Sequence, residues 1–190
     1  MSTDKLTPTD WLDCALQELT TQGYGALKAQ PLAKKLNVTR GSFYYHFESL
    51  VDFHAAVIRH WSAKTTSPLI ADLAAHATPQ ETLRALLSIT LKSGEQLERA
   101  MRSWATVNAQ VAAGVKDVDD TRIAYAEELL RACGVAPRDA VPRAKLLYWA
   151  AIGRLMMPFP DDSHLSEDEI AGIAALMGES ANLGDVRNAT

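Results

Sequence analysis

The chain has 190 residues, 47% of them apolar and 22% charged, with a net charge of −4. This suits one large globular domain, or a small domain joined to a larger one. The acidic total excludes a uniformly basic nucleic-acid coat but not a local basic patch. No run of about 18 apolar residues occurs, so no transmembrane helix is expected. The polar start MSTDKLTPTDWLDCALQ has no signal-peptide pattern, and two cysteines, Cys14 and Cys133, make no disulfide framework. Both features fit a cytoplasmic protein.

In chain order, the first helix is expected from Thr7 as N-cap, with Pro8 in the first helical position and Asp10 in the first turn. Trp11, Leu12, Ala15, Leu16 and Leu19 share one face, and Gly23 and Gly25 stop the helix. Residues 29–36 and 40–47 read as two short helices around a turn at 37–39. Pro31 is tolerable in a first turn, Asn37 accepts a left-handed backbone, and Thr39 can cap the second of the pair. Ser49 and Asp52 begin a long helix to about residue 66. Thr78-Pro79-Gln80-Glu81 combines a capping box with a proline start. Helices follow at about 79–92, 95–109, 117–133, 138–157 and 166–177, the last opened by Ser166 and Glu169 with Leu165 and Ile170 in staple positions. No strand pattern or internal repeat appears. The expectation is an all-α fold of about nine helices.

The stretch VTRGSFYYHF, residues 38–47, holds four aromatic rings in a chain that is 7% aromatic, interleaved with Arg40, Ser42 and His46. On a helix Phe43 and Phe47 share a face that continues toward Leu50, so these rings are expected in the core. Arg40 and Tyr44 share another face, with Ser42, Tyr45 and His46 around the outside. The displayed groups suit DNA: arginine can bond guanine bidentately, and hydroxyls reach phosphates or base edges. Gly41 allows close backbone approach. Between Lys28 and Phe47 there are four basic residues and no acidic one, a local basic patch on an otherwise acidic chain. Each displayed side chain alone could equally be ordinary surface packing; the turn, the charge and the split faces act together.

ALQELTTQGYGALKAQPLAKKLNVTRGSFYYHFESL resembles the N-terminal domain of the TetR family of bacterial transcriptional regulators, over residues of about 9–55. The matching parts are Gly23–Gly25, Leu32–Leu36, the turn Asn37–Thr39, and Tyr44–Phe47. The resemblance implies a homodimer with a three-helix DNA-binding domain at 1–48 and a helical regulatory and dimerisation domain at 49–190. It implies DNA contacts from Arg40, Gly41, Ser42, Tyr44 and Tyr45, with Thr39 and His46 on phosphates and Lys28 and Gln30 at the start of the second helix. Two departures stand out. Asn37 replaces the usual turn glycine, and Leu50 stands where a phosphate-binding lysine is common.

The resemblance also implies a dimer built by the last two helices. Candidates are Leu147, Ala151, Leu155, Ile170, Ile173, Ala174 and Met177; each also fits an intramolecular core. Such a dimer spaces its recognition helices about 34–36 Å apart and implies a palindromic operator. A small-molecule effector, apolar or aromatic, would occupy the helical bundle. Candidate linings are Trp61, Leu87, Leu91, Met101, Trp104, Val107, Tyr125, Leu129, Tyr148, Trp149 and Ile152. Residues of these types at helical spacing are more often simple core. Arg102 and Glu95 are expected in solvent.

No cofactor, metal site or catalytic group is expected. His46, His54, His60, His76 and His164 lack metal-ligand spacing, and no glycine-rich phosphate loop or nucleophile elbow occurs. Cys133, before Gly134, could be an exposed redox thiol. Two functions remain open. One is a ligand-released DNA-binding repressor. The other is a dimeric helical ligand- or protein-binding module with weakened DNA binding, which Leu50 and the acidic charge favour.

Overall fold

Capping residues set the helix starts. The Thr7 hydroxyl accepts from the Asp10 amide at 3.3 Å, and the Asp10 carboxylate accepts from the Thr7 N–H at 2.7 Å. This closed capping box puts Pro8 where no N–H is needed. The same device, Thr78 with Glu81 and Ser166 with Glu169, opens two later helices. The computed structural model describes residues 6–92, 96–157 and 165–179. All regular structure among them is helical: α1 (Pro8–Gln22), α2 (Ala29–Lys35), α3 (Arg40–His46), α4 (Leu50–Leu73), α5 (Pro79–Lys92), α6 (Gln96–Ala105), α7 (Ala109–Ala132), α8 (Pro137–Leu155) and α9 (Glu167–Gly178), with one 3-10 turn at Tyr24–Ala26.

Three boundaries depart clearly from the sequence reading. α4 continues through Pro68 to Leu73. α6 ends at Ala105, because the Thr106 and Val107 amides turn back onto Ser103 and Trp104. α7 starts at Ala109, not 117, because the Asn108 side chain accepts from the Val111 amide at 3.1 Å. Gly114 therefore lies inside α7. A Cβ there would stand 2.5 Å from Ile58 Cγ2, so the glycine permits close approach of α7 to α4. At α3, Thr39 holds the N-cap position but its side chain makes no capping bond.

The chain forms two compact units: Met1–Pro68 with Glu95–Asp119, and Leu69–Gly94 with Asp120–Thr190. In the first, Trp11, Leu19, Leu32, Phe43, Phe53, Trp61 and Met101 are sealed in one core, and α6 packs on α1. Phe43 sits at its centre, edge-on to Trp11 at 5.5 Å and to Phe53 at 5.0 Å. Phe47 lies 4.8 Å from Phe53. These rings fasten α3 to α1 and α4. In the second unit, α5 packs on α8 and α9 around Leu83, Leu87, Leu130, Ala140, Ala144 and Ile170.

Candidate nucleic-acid interface

The turn between α2 and α3 is built on Asn37, the described non-glycine residue with positive φ, at 56°. Its short polar side chain tolerates that region. The Val38 amide closes back on the Ala33 carbonyl at 2.9 Å, which ends α2 and sets the angle of α3. Phe43 and Phe47 face the core, so the opposite side of α3 is displayed. Tyr44 is 47% exposed and Tyr45 70%. Arg40, Gly41 and Thr39 are exposed, and Ser42 and His46 half-buried. Arg40 Nη2 donates to Tyr44 Oη at 3.1 Å, and its guanidinium lies 5.3 Å from the Tyr44 ring centre. That contact uses one of five donors and orients the group. Tyr45 stacks edge-on against His46 at 5.0 Å. Lys28 and Gln30 are exposed at the start of α2.

Basic groups nearby are not equivalent. Lys35 pairs with Glu18 of α1 at 2.9 Å, which raises its pKa. Lys28, Lys34 and Arg40 are exposed and, among the described residues, form no ion pair with a carboxylate. Leu50 is exposed in the first position of α4. A second tie crosses the first unit: Asp13 of α1 accepts from His60 Nε2 at 2.6 Å and from Lys64 Nζ at 2.5 Å, and these donors hold its carboxyl below the usual range.

The effector candidates are not brought together. Trp61, Met101 and Trp104 are core of the first unit. Val107, in the turn after α6, is 61% exposed. Leu87, Leu91 and Leu129 are core of the second, with Tyr125 packed against them. Tyr148 and Ile152 are half-buried on α8, and Trp149 is 63% exposed. A groove of about 490 Å³ lies instead between α4 and α7 in the first unit, bordered by Ala55, Ile58, Arg59, Ser62, Ser67, Gln110, Gly114, Asp117 and Val118. Sequence reasoning missed it, because its residues are small or charged and the start of α7 was misplaced. Arg102 is not solvated: it bonds Glu98 at 2.7 Å and Asp119 at 2.7 and 3.2 Å in a largely buried cluster. Glu95 and His164 lie outside the described residues.

The dimer candidates are packed within the chain. Leu147, Leu155 and Ile170 are buried within the chain, and Ala151, Ile173, Ala174 and Met177 pack against that same core. The outward stripe of α8 is Leu146, Trp149, Ala150 and Gly153, continued by Met156 at its C-cap, and that of α9 is Gly172, Ala175 and Leu176. Leu146, Trp149 and Leu176 are 53%, 63% and 69% exposed. Arg143 of α8 donates to the Met177 carbonyl at 2.7 Å and also to those of Leu176 and Glu179, clamping the end of α9. Cys133 is half-buried and its thiol pKa is raised by burial, which disfavours the reactive thiolate. No described helix is long and apolar enough to cross a membrane.

Residues 12–51 match the model for bacterial regulatory proteins, tetR family. No curated protein matches the chain in sequence. Among solved structures, a TetR transcriptional regulator from Legionella pneumophila is 20% identical, with a TM-score of 0.67 over 93% of this chain and 97% of its own. A choline complex from Saccharomonospora viridis is 17% identical, with a TM-score of 0.69 over 88% and 92%. AibR, solved with isovaleryl coenzyme A and operator DNA, is 17% identical, with a TM-score of 0.65 over 89% and 96%. These likenesses establish the fold. Residues 12–51 thus match the N-terminal segment of the tetR family of bacterial regulatory proteins, and the all-helical fold is the one found in these solved structures.

Proposed function

We propose that the protein is a cytoplasmic, sequence-specific transcriptional regulator: a homodimeric repressor that leaves a palindromic operator when a small molecule binds. The observation that carries this reading is the split of α3, with Phe43 and Phe47 locked in the core and Arg40, Tyr44 and Tyr45 displayed. A short helix presented in this way enters the major groove while the preceding helix braces it on the backbone. Arg40, Gly41, Ser42, Tyr44 and Tyr45 read bases and backbone; Thr39, His46, Lys28 and Gln30 hold phosphates. The two proteins solved with choline and with isovaleryl coenzyme A support a small-molecule effector. The groove between α4 and α7 is of ligand size.

Dimerisation uses the outward stripes of α8 and α9 rather than the residues first named. Three large apolar side chains more than half exposed on two neighbouring helices form a surface that asks for a partner, and Ala150, Gly153 and Gly172 permit close helix approach. The exposed Leu50 favours the second reading, a helical module with weakened DNA binding, since a hydrophobic group there anchors no phosphate. Arg40→Ala separates the two. Measured on duplexes that the wild-type protein selects from a random pool, the variant loses roughly 1–3 kcal/mol and its sequence choice relaxes. Undiminished, equally selective binding overturns the assignment.

A further inference from the structure

His54 of α4 lies between α6 and the start of α2. Its Nε2 is 3.1 Å from the Leu27 carbonyl. A carbonyl can only accept, so Nε2 carries the proton and donates. On its other side the ring meets Trp104, in the last turn of α6, edge-on at 4.8 Å. Leu27 is 1% exposed and immediately precedes Lys28, the N-cap of α2. Its carbonyl lies in the irregular backbone between the 3-10 turn and α2, and Pro31, four residues on, has no N–H to offer it. A buried carbonyl needs a partner, and the side chain of another helix supplies it. No side-chain cap is found at Lys28, so the start of α2 is held from behind, by His54, rather than from within.

The geometry points to His54 as a positioning residue for DNA binding: wedged against Trp104, it fixes the Leu27 carbonyl and thereby places Lys28 and Gln30 on the DNA backbone. This rests on the proposed function but reaches a residue that touches no DNA. A His54→Phe variant keeps a ring against Trp104 and removes the donor; His54→Gln returns an N–H at the reach of Nε2.

The test is a double-mutant cycle of His54→Phe and Lys28→Ala, read as affinity for the duplex the wild-type protein selects. His54→Phe weakens binding roughly three- to tenfold and flattens the salt dependence by about 0.9 per lost phosphate contact. Lys28→Ala adds little on top of it, and His54→Gln restores wild-type affinity. Additive losses, no loss in His54→Phe, or no rescue by glutamine overturn the inference. Hydrogen exchange on the free protein gives an arm independent of DNA. His54→Phe speeds exchange in 29–36 and leaves α1 and α6 unchanged; unchanged exchange in α2 overturns the tether. If the wild-type protein selects no duplex, the function fails, and this arm still decides the role of His54 in holding α2.

Discussion

Alternate rings of VTRGSFYYHF have opposite fates, and the helical period alone separates them. Phe43 is fully buried and Tyr45 70% exposed two positions later. That split was legible because i and i+4 share a face. The partners of His54 and Arg102 were not. Leu27 lies 27 residues from His54 and Asp119 lies 17 from Arg102, so both contacts depend on how helices meet. His54 also carries a consequence for stability. Burial is the largest cause acting on it and lowers its pKa below the ordinary 6.5; the bond to Leu27 opposes this more weakly. The unfolded chain therefore takes up a proton that the folded chain refuses. His54 neutral is compatible with folding above pH 6.5, and its contribution is lost as pH falls below that value toward its lower folded pKa. In urea unfolding from pH 7 to pH 5, His54 is expected to contribute falling stability of no more than one proton's slope. In His54→Gln that part of the slope disappears. An identical slope in the variant removes the assignment.

At the scale of elements, starts were easier to read than ends. Thr7, Thr78 and Ser166 announce helices through side chains that close capping boxes, and the structure forms all three. The end of α4 and the start of α7 were harder to read. Proline and glycine disfavour helix interiors, yet Pro68 lies inside α4 and Gly114 inside α7, where the glycine lets α7 approach Ile58 of α4. α9 shows a tertiary cap that no local pattern announces: Arg143, 34 residues before Met177, donates to carbonyls at its end. A cation there also favours the negative end of the helix dipole. Arg143→Ala is expected to cost about 1 kcal/mol of stability. Its signature is faster hydrogen exchange confined to the last turn of α9; uniform protection across α9 would show that the clamp is idle.

For the whole molecule, the residues of α8 and α9 that periodicity selects are packed within the chain, and another face of each helix is exposed. α8 is apolar nearly all round between Leu146 and Met157, so its periodicity selects no single outward stripe. Packing on α5 settles the matter by burying Leu147 and leaving Leu146 and Trp149 outside. The proposed dimer then makes a direct prediction. Trp149→Glu sets a charge in the middle of the stripe, on a side chain that contributes little to the intrachain core. It is expected to give a folded monomer by light scattering, with helicity preserved and operator affinity reduced. A variant that remains dimeric places the interface elsewhere.

The proposed function depends on one claim, that α3 reads sequence as one of a symmetric pair. Selection of random duplexes on the purified protein, read by sequencing, tests it most directly. The expected result is an inverted repeat whose half-sites are separated by one helical turn, about 34–36 Å, or a multiple of it. No enrichment even at low salt, or an asymmetric single site, would contradict it.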